Sequence, residues 1–172
     1  MLGEGCPKCS HHVSNWENEI ADFLREFGFE VDQSNRALLN GKELDIVLYQ
    51  FNLAIECDGL RWHSEEFNSD KNYHLSKTLE CEKHGIRLIH IFEDEWLNKS
   101  DIWKSMLSNM LHKTKNKVYA RKCKLKNVSV KDKNLFLNEN HIQGMSNSSV
   151  NLGLYYNDEL VSLMTFGKPR IN

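Results

Sequence analysis

Within residues 43–63, ELDIVLYQFNLAIECDGLRWH, two short apolar runs carry acids where a buried strand would ordinarily hold Val or Ile. Asp45 lies in the first run, and Glu56 and Asp58 end the second. Burying an unpaired carboxylate is costly or forces the group to take up a proton, so acids converging from neighbouring strands point to a bound cation. Hard carboxylate oxygens suit Mg2+ or Mn2+. An ion on Asp45 and Glu56, its shell filled by the Cys57 carbonyl and waters, is what phosphodiester hydrolysis requires. His63, a few residues past the strand end, titrates near neutrality and could move a proton. Taken singly, each residue is also explained by a solvated strand end or a surface loop; the constellation is what favours a site.

The elements that must hold these side chains follow from periodicity. Residues 14–27 set Trp16, Ile20, Phe23, Leu24 and Phe27 on one helical stripe, which Gly28 ends. Glu17 stands three residues after Ser14, where a capping box accounts for it structurally. Residues 29–33, 43–49 and 53–58 read as three strands of an antiparallel meander, with Asn40-Gly41 as a type I′-like turn. Side chains alternate along a strand, so Glu56 and Asp58 share a face that Asp45 can join. Residues 59–69 lack periodicity and form a loop carrying Arg61, Trp62 and His63. A helix is expected over 70–84, with Asp70 as its N-cap and Gly85 beyond its end; Asp70, His74 and Lys77 mark its polar side. Residues 86–92 are a continuous apolar strand interrupted by His90, as a central strand covered on both faces would be, and 93–96 close it. The order predicts an α/β fold with a mixed sheet: helix, three-strand meander, crossover helix, strand.

Beyond this lie an amphipathic helix at 101–111, a basic linker at 113–133, and a truncated α+β tail at 134–172 with a short helix at 135–140 and a hairpin about Asn157-Asp158. The linker holds nine Lys/Arg against the single acid Asp132, in a chain of 172 residues whose net charge is −2. Lys113, Lys115, Lys117, Arg121, Lys122 and Lys124 are its candidate phosphate contacts, because local potential is not decided by the global sum. A solvated helix face or linker explains a charge run equally simply. At the other end, Cys6-Pro-Lys-Cys9 in residues 1–13 is a C-P-x-C turn of the kind that makes half of many zinc ribbons, and His11 and His12 beside it offer two further ligands for an unusual site. Tetrahedral zinc needs four ligands and there is no second C-x-x-C, which argues against Zn2+. Five irregularly spaced cysteines argue for reduced thiols, and the absence of a long apolar run or a signal h-region makes a cytoplasmic location the expectation.

Glu17, Asp45, the string Ile55-Glu-Cys-Asp-Gly-Leu-Arg-Trp-His63, then Asp70-Lys-x-Tyr-His74-x-x-Lys77 and Gly85-Ile-Arg-Leu-Ile-His-Ile-Phe-Glu-Asp-Glu-Trp96 resemble the PD-(D/E)XK superfamily. The nearest branch is the very-short-patch-repair-like endonucleases, particularly their phage-encoded homing-endonuclease relatives. The resemblance covers residues 14–96, within a nuclease domain spanning 14–112. It implies a restriction-endonuclease-like fold and a metal-dependent endonuclease acting on double-stranded DNA and leaving a 5′ phosphate. It also implies a catalytic Glu17 and His63, metal ligation by Asp45 and Glu56, and active-site roles for His74 and Lys77. Asp58 falls where most of the superfamily has Lys and the repair enzymes have His, and is read as a metal or water ligand. The CPKC end resembles half of the ribbon that precedes such nucleases. The tail is similar to a segment recurring behind them, with an acyltransferase-like start. The rival readings are a catalytically decayed DNA-binding module and a purely structural α/β domain with a solvated acidic edge.

Overall fold

The computed structural model describes residues 14–59 and 73–168. Cys6, Cys9, His11, His12, Arg61, His63 and Asp70 lie outside the described residues. The chain forms two compact units that divide between Asn98 and Lys99.

In the first unit, α1 (Asn15–Arg25) starts where the Ser14 hydroxyl accepts the Glu17 amide at 3.3 Å. It buries Trp16, Ile20 and Leu24 of the expected stripe together with Glu17 and Ala21, while Phe23 and Phe27 are half-buried. A four-stranded mixed sheet follows in the order β1 (Asp32–Leu39), β2 (Lys42–Leu48), β3 (Leu53–Asp58), β4 (Arg87–Phe92). The first three strands are an antiparallel meander; α2 (Tyr73–Lys83) precedes β4, which runs parallel to β3. This is the α/β architecture expected from the sequence. Asn40 and Gly41, both at positive φ, make the β1–β2 turn.

The register assigns the faces. Gln33 pairs with Ile46 and Ile46 with Ile55, while Val47 pairs with Ala54 and Glu56 with His90. The Gln33 side chain bonds Arg25 at 2.6 Å and Asn18 at 3.4 Å, so α1 lies over the Ile46–Ile55 face. Lys77 reaches Glu56, so α2 covers the opposite face, which alternation gives to Asp45, Val47, Ala54, Glu56, Asp58 and His90. Between these layers Ile20, Leu24, Ile46, Leu48, Ile55 and Ile91 are fully buried, each stabilising the fold by about 1.5–3 kcal/mol relative to exposure.

Three local expectations are corrected. The first strand is Asp32–Leu39, not 29–33. Its polar Ser-Asn-Arg stretch stays in the strand because Asn35 Oδ1 accepts the Ala37 and Leu38 amides at 3.1 Å while its Nδ2 donates to Asp32 and Tyr49. That carboxamide supplies the bonds lost where the β1–β2 register shifts between Asn35 and Leu39. Second, β4 is not central: it ends the order of strands, and His90 is half-buried. Third, Glu93–Trp96 do not close the strand but open α3 (Glu93–Met110), where three acids suit the positive end of the helix dipole. Trp96 is buried there and its indole donates to Glu19 at 3.0 Å.

The α3 backbone leaves helical geometry at Lys99 (φ −142°, ψ 35°). In the second unit, β5 (Lys124–Asn127), β6 (Val150–Tyr156) and β7 (Glu159–Phe166) form an antiparallel sheet with α4 (Val130–Asn140). The helix therefore starts five residues earlier than expected, capped by the Ser129 hydroxyl at 3.1 Å from the Asp132 amide. The expected hairpin turns at Asn157-Asp158, both at positive φ. Where the basic linker was anticipated, the chain makes a single 3-10 turn (Ala120–Lys122), then β5 and the first turn of α4. Among the described residues no helix is long and apolar enough to cross a membrane.

Candidate active site

The sheet face beneath α2 gathers most of the chemistry-bearing residues. Extending the β2–β3 register one step beyond Ile46–Ile55 sets Asp45 across from Glu56. There Asp45 Oδ2 accepts the Cys57 backbone N–H at 2.7 Å, so a carboxylate takes a bond that a strand carbonyl would otherwise accept. Lys77 comes down from α2 and donates to Glu56 Oε1 at 2.5 Å, with the lysine 2% exposed. Asp58, one pleat further, holds His90 Nδ1 at 2.8 Å and lies 3.7 Å from His74 Nδ1.

The orientation of α2 inverts the usual amphipathic rule. Its polar residues His74 and Lys77 face the sheet, whereas Leu75 and Leu79 are exposed. A helix that points an ammonium inward and leucines outward is organised around a polar site rather than around its own apolar burial.

Glu17 approaches from α1. Burial and the neighbouring Asp45 charge push its carboxyl up to about 7, against hydrogen bonds from the Gln33 side chain and the Ser14 backbone. The Ser14 bond is the capping box read from the sequence, so cap and acid cluster are occupied by one side chain. Burial raises Asp45 as well, despite the Cys57 amide and the Lys77 charge. Glu56 is pushed up to about 8 by burial and by Asp45, although Lys77 opposes the shift. The Cys57 thiol is raised by burial and by Asp45, which keeps it protonated.

These groups fit a divalent cation. Among the described residues Glu56 Oε2 is buried with no hydrogen-bond partner, and the acids around it outnumber the ammonium of Lys77. Two carboxylates and a carbonyl completed by water make a donor set of the Mg2+ kind. The described cluster of three ligating side chains whose donor atoms all lie within 4.8 Å of one another is a different one, Asp58, His74 and His90.

Sequence reasoning placed Glu17, Asp45, Glu56, Cys57, Asp58, His74 and Lys77, all of which the first unit contains. It did not single out His90, which the structure sets 2.8 Å from Asp58; the signal was a histidine inside an otherwise apolar strand. Thr78 was also missed: its hydroxyl donates to the His74 carbonyl at 2.9 Å and meets His90 Nε2 at 3.2 Å. Lys113, Lys115, Lys117, Arg121, Lys122 and Lys124 belong to the second unit and are exposed.

Above pH 8, where Glu56 is ionised, Lys77→Met is expected to destabilise the first unit by about 3–5 kcal/mol, the cost of leaving a buried carboxylate unpaired. Adding Glu56→Gln to it should recover much of that loss in a denaturant titration. Equal, additive losses would show that the two side chains are not coupled.

No protein-family model matches the chain, and no curated protein matches it. Among solved structures, the chain is similar to the Homing Endonuclease I-Bth0305I Catalytic Domain at 23% identity and a TM-score of 0.47, covering 58% of this chain and 96% of that one.

Proposed function

We propose that the first unit is a metal-dependent endonuclease that hydrolyses DNA backbone phosphodiesters, of the very-short-patch-repair-like kind. The observation that carries this reading is the pairing of Asp45 and Glu56, both with raised proton affinity, on one sheet face, where among the described residues Glu56 Oε2 is buried without a hydrogen-bond partner; Glu17 adds a third acid that feels the Asp45 charge. The sequence resemblance supplies the substrate class.

A Mg2+ or Mn2+ ion bound by Asp45, Glu56 and the Cys57 carbonyl would supply Lewis-acid polarisation of a phosphoryl oxygen. The chain's own residues do the rest. Asp45 ties the end of β2 to Cys57 and so fixes the spacing of the two carboxylates. Lys77 orients Glu56 and offsets part of its charge. Glu17, whose proton affinity is balanced near neutral pH, accepts a proton from an attacking water. His63, outside the described residues, delivers a proton to the leaving oxygen. Asp58 and His74 hold the adjoining wall. The exposed cations between Lys113 and Lys124 contact backbone phosphates without reading bases.

Supercoiled plasmid incubated with the purified chain should be nicked or linearised in Mg2+ or Mn2+ and left intact in EDTA. Intact plasmid in both ions, together with DNA retention that falls steeply with salt, would instead make the protein a decayed DNA-binding module.

A further inference from the structure

The geometry points to a second, nitrogen-rich metal site formed by Asp58, His74 and His90, suited to a first-row transition ion of the Zn2+ class rather than to Mg2+. One ligand atom from each residue lies within 4.8 Å of the others. His90 Nδ1 is 2.8 Å from Asp58 Oδ2, and His74 Nδ1 is 3.7 Å from Asp58 Oδ1. Donor atoms around a single ion with bonds near 2.0–2.2 Å are separated by roughly 3–3.5 Å, so small rotations of these side chains suffice.

The three residues come from three elements of the first unit. Asp58 ends β3, His90 lies in the parallel strand β4, and His74 sits in the first turn of α2. Asp58 is 7% exposed, which makes its charge expensive without a cation beside it. The two imidazoles meet edge to face, with ring centroids 5.3 Å apart and planes at 82°, so their nitrogens are not stacked away from a shared point.

Thr78 decides which nitrogen of His90 is available. Its hydroxyl hydrogen is given to the His74 carbonyl, leaving an oxygen lone pair to accept from His90 Nε2–H. Nδ1 then faces the Asp58 carboxylate at 2.8 Å, a pair of acceptors that a shared proton or a bound metal ion satisfies. An outer hydrogen bond that fixes the tautomer and aims the other nitrogen is the usual support of a metal-bound histidine. Two imidazoles with one carboxylate favour Zn2+, Co2+ or Ni2+, whereas Mg2+ prefers oxygen donors and retained waters.

The inference does not rest on nuclease activity, and its test reads metal binding directly. Co2+ is titrated into the full chain carrying Cys6→Ser and Cys9→Ser, so that thiolates do not compete, and the visible d–d absorption is followed alongside metal content after gel filtration. With millimolar Mg2+ present throughout to occupy the carboxylate site, one Co2+ per chain is expected, displaced by Zn2+. His90→Ala and His74→Ala should each weaken binding at least tenfold. Thr78→Val should weaken it roughly 10- to 100-fold through loss of the aiming hydrogen bond. Far-UV circular dichroism checks each variant, and His90→Gln, which keeps polarity and bulk, replaces any alanine variant that does not fold. Failure of the parent chain to bind Co2+, or unchanged affinity in the folded His90 and His74 variants, would overturn the site. Normal Co2+ binding without plasmid cleavage would overturn the nuclease reading alone.

Discussion

Asp45→Asn protein is expected to lose plasmid cleavage by roughly 10²-fold or more while its thermal transition stays at or above the parent's. The loss follows if Asp45 is a ligand of the ion that polarises the phosphate, because about 3 kcal/mol of transition-state stabilisation is a factor of about 10² in rate. The stability gain follows from the cluster. Burial and the nearby Glu43 and Asp58 charges raise the Asp45 carboxyl, so its ionised form is held at a cost. An asparagine keeps an oxygen for the Cys57 amide and presents an N–H group to the surrounding acids. Asp45→Ala separates the two roles: it removes the charge and also orphans the Cys57 amide, at a cost of about 1–3 kcal/mol. Cleavage by Asp45→Asn at the parental rate would remove Asp45 from the site. Such a trade of stability for activity is common where a fold holds acids together for function.

The second large effect is a thermal transition that falls as pH rises. Glu17 and Glu56 have folded-state carboxyls near 7 and 8, against an ordinary glutamate value of 4.5. A raised folded value means the native state binds protons more tightly than the unfolded chain. The resulting stabilisation is fully present below about 4.5 and is lost as pH climbs through 7 and 8. In EDTA the melting temperature of the first unit should therefore drop by at least roughly 5 °C between pH 5.5 and 8.5, since 1 kcal/mol moves a unit of about 100 residues by about 4–8 °C. Millimolar Mg2+ at pH 8.5 should restore much of the drop, because an ion takes the place of the protons. Glu17→Gln combined with Glu56→Gln should flatten the slope in EDTA. A flat profile for the parent chain would mean that the acids are solvated and the cluster is not closed.

Much of this protein is legible in short stretches of the chain, wherever the information is local. Ser14 and Glu17 three residues apart set the start of α1, and Asn40-Gly41 set the β1–β2 turn, because caps and tight turns are decided by a few adjacent residues. Acids within apolar runs marked Asp45, Glu56 and Asp58 as misplaced for stability, and strand alternation gave Glu56 and Asp58 one face. The order of elements gave the mixed sheet, since a parallel pair needs a crossover.

Tertiary structure alone decided who meets whom. Lys77 pairing with Glu56 and His90 pairing with Asp58 each span more than twenty residues, and nothing local in a helix or strand names a partner across a sheet. It also decided that α2 turns its polar side inward, contrary to the rule that a helix buries its leucines, because the sheet face beneath it offers carboxylates that need cations. The proton affinities of Glu17 and Glu56 arise from burial and from one another's neighbour Asp45, quantities that exist only once the layers are packed. The second donor set, in which His90 had looked like an interruption in a strand, became visible for the same reason: metal sites are assembled from elements distant in sequence.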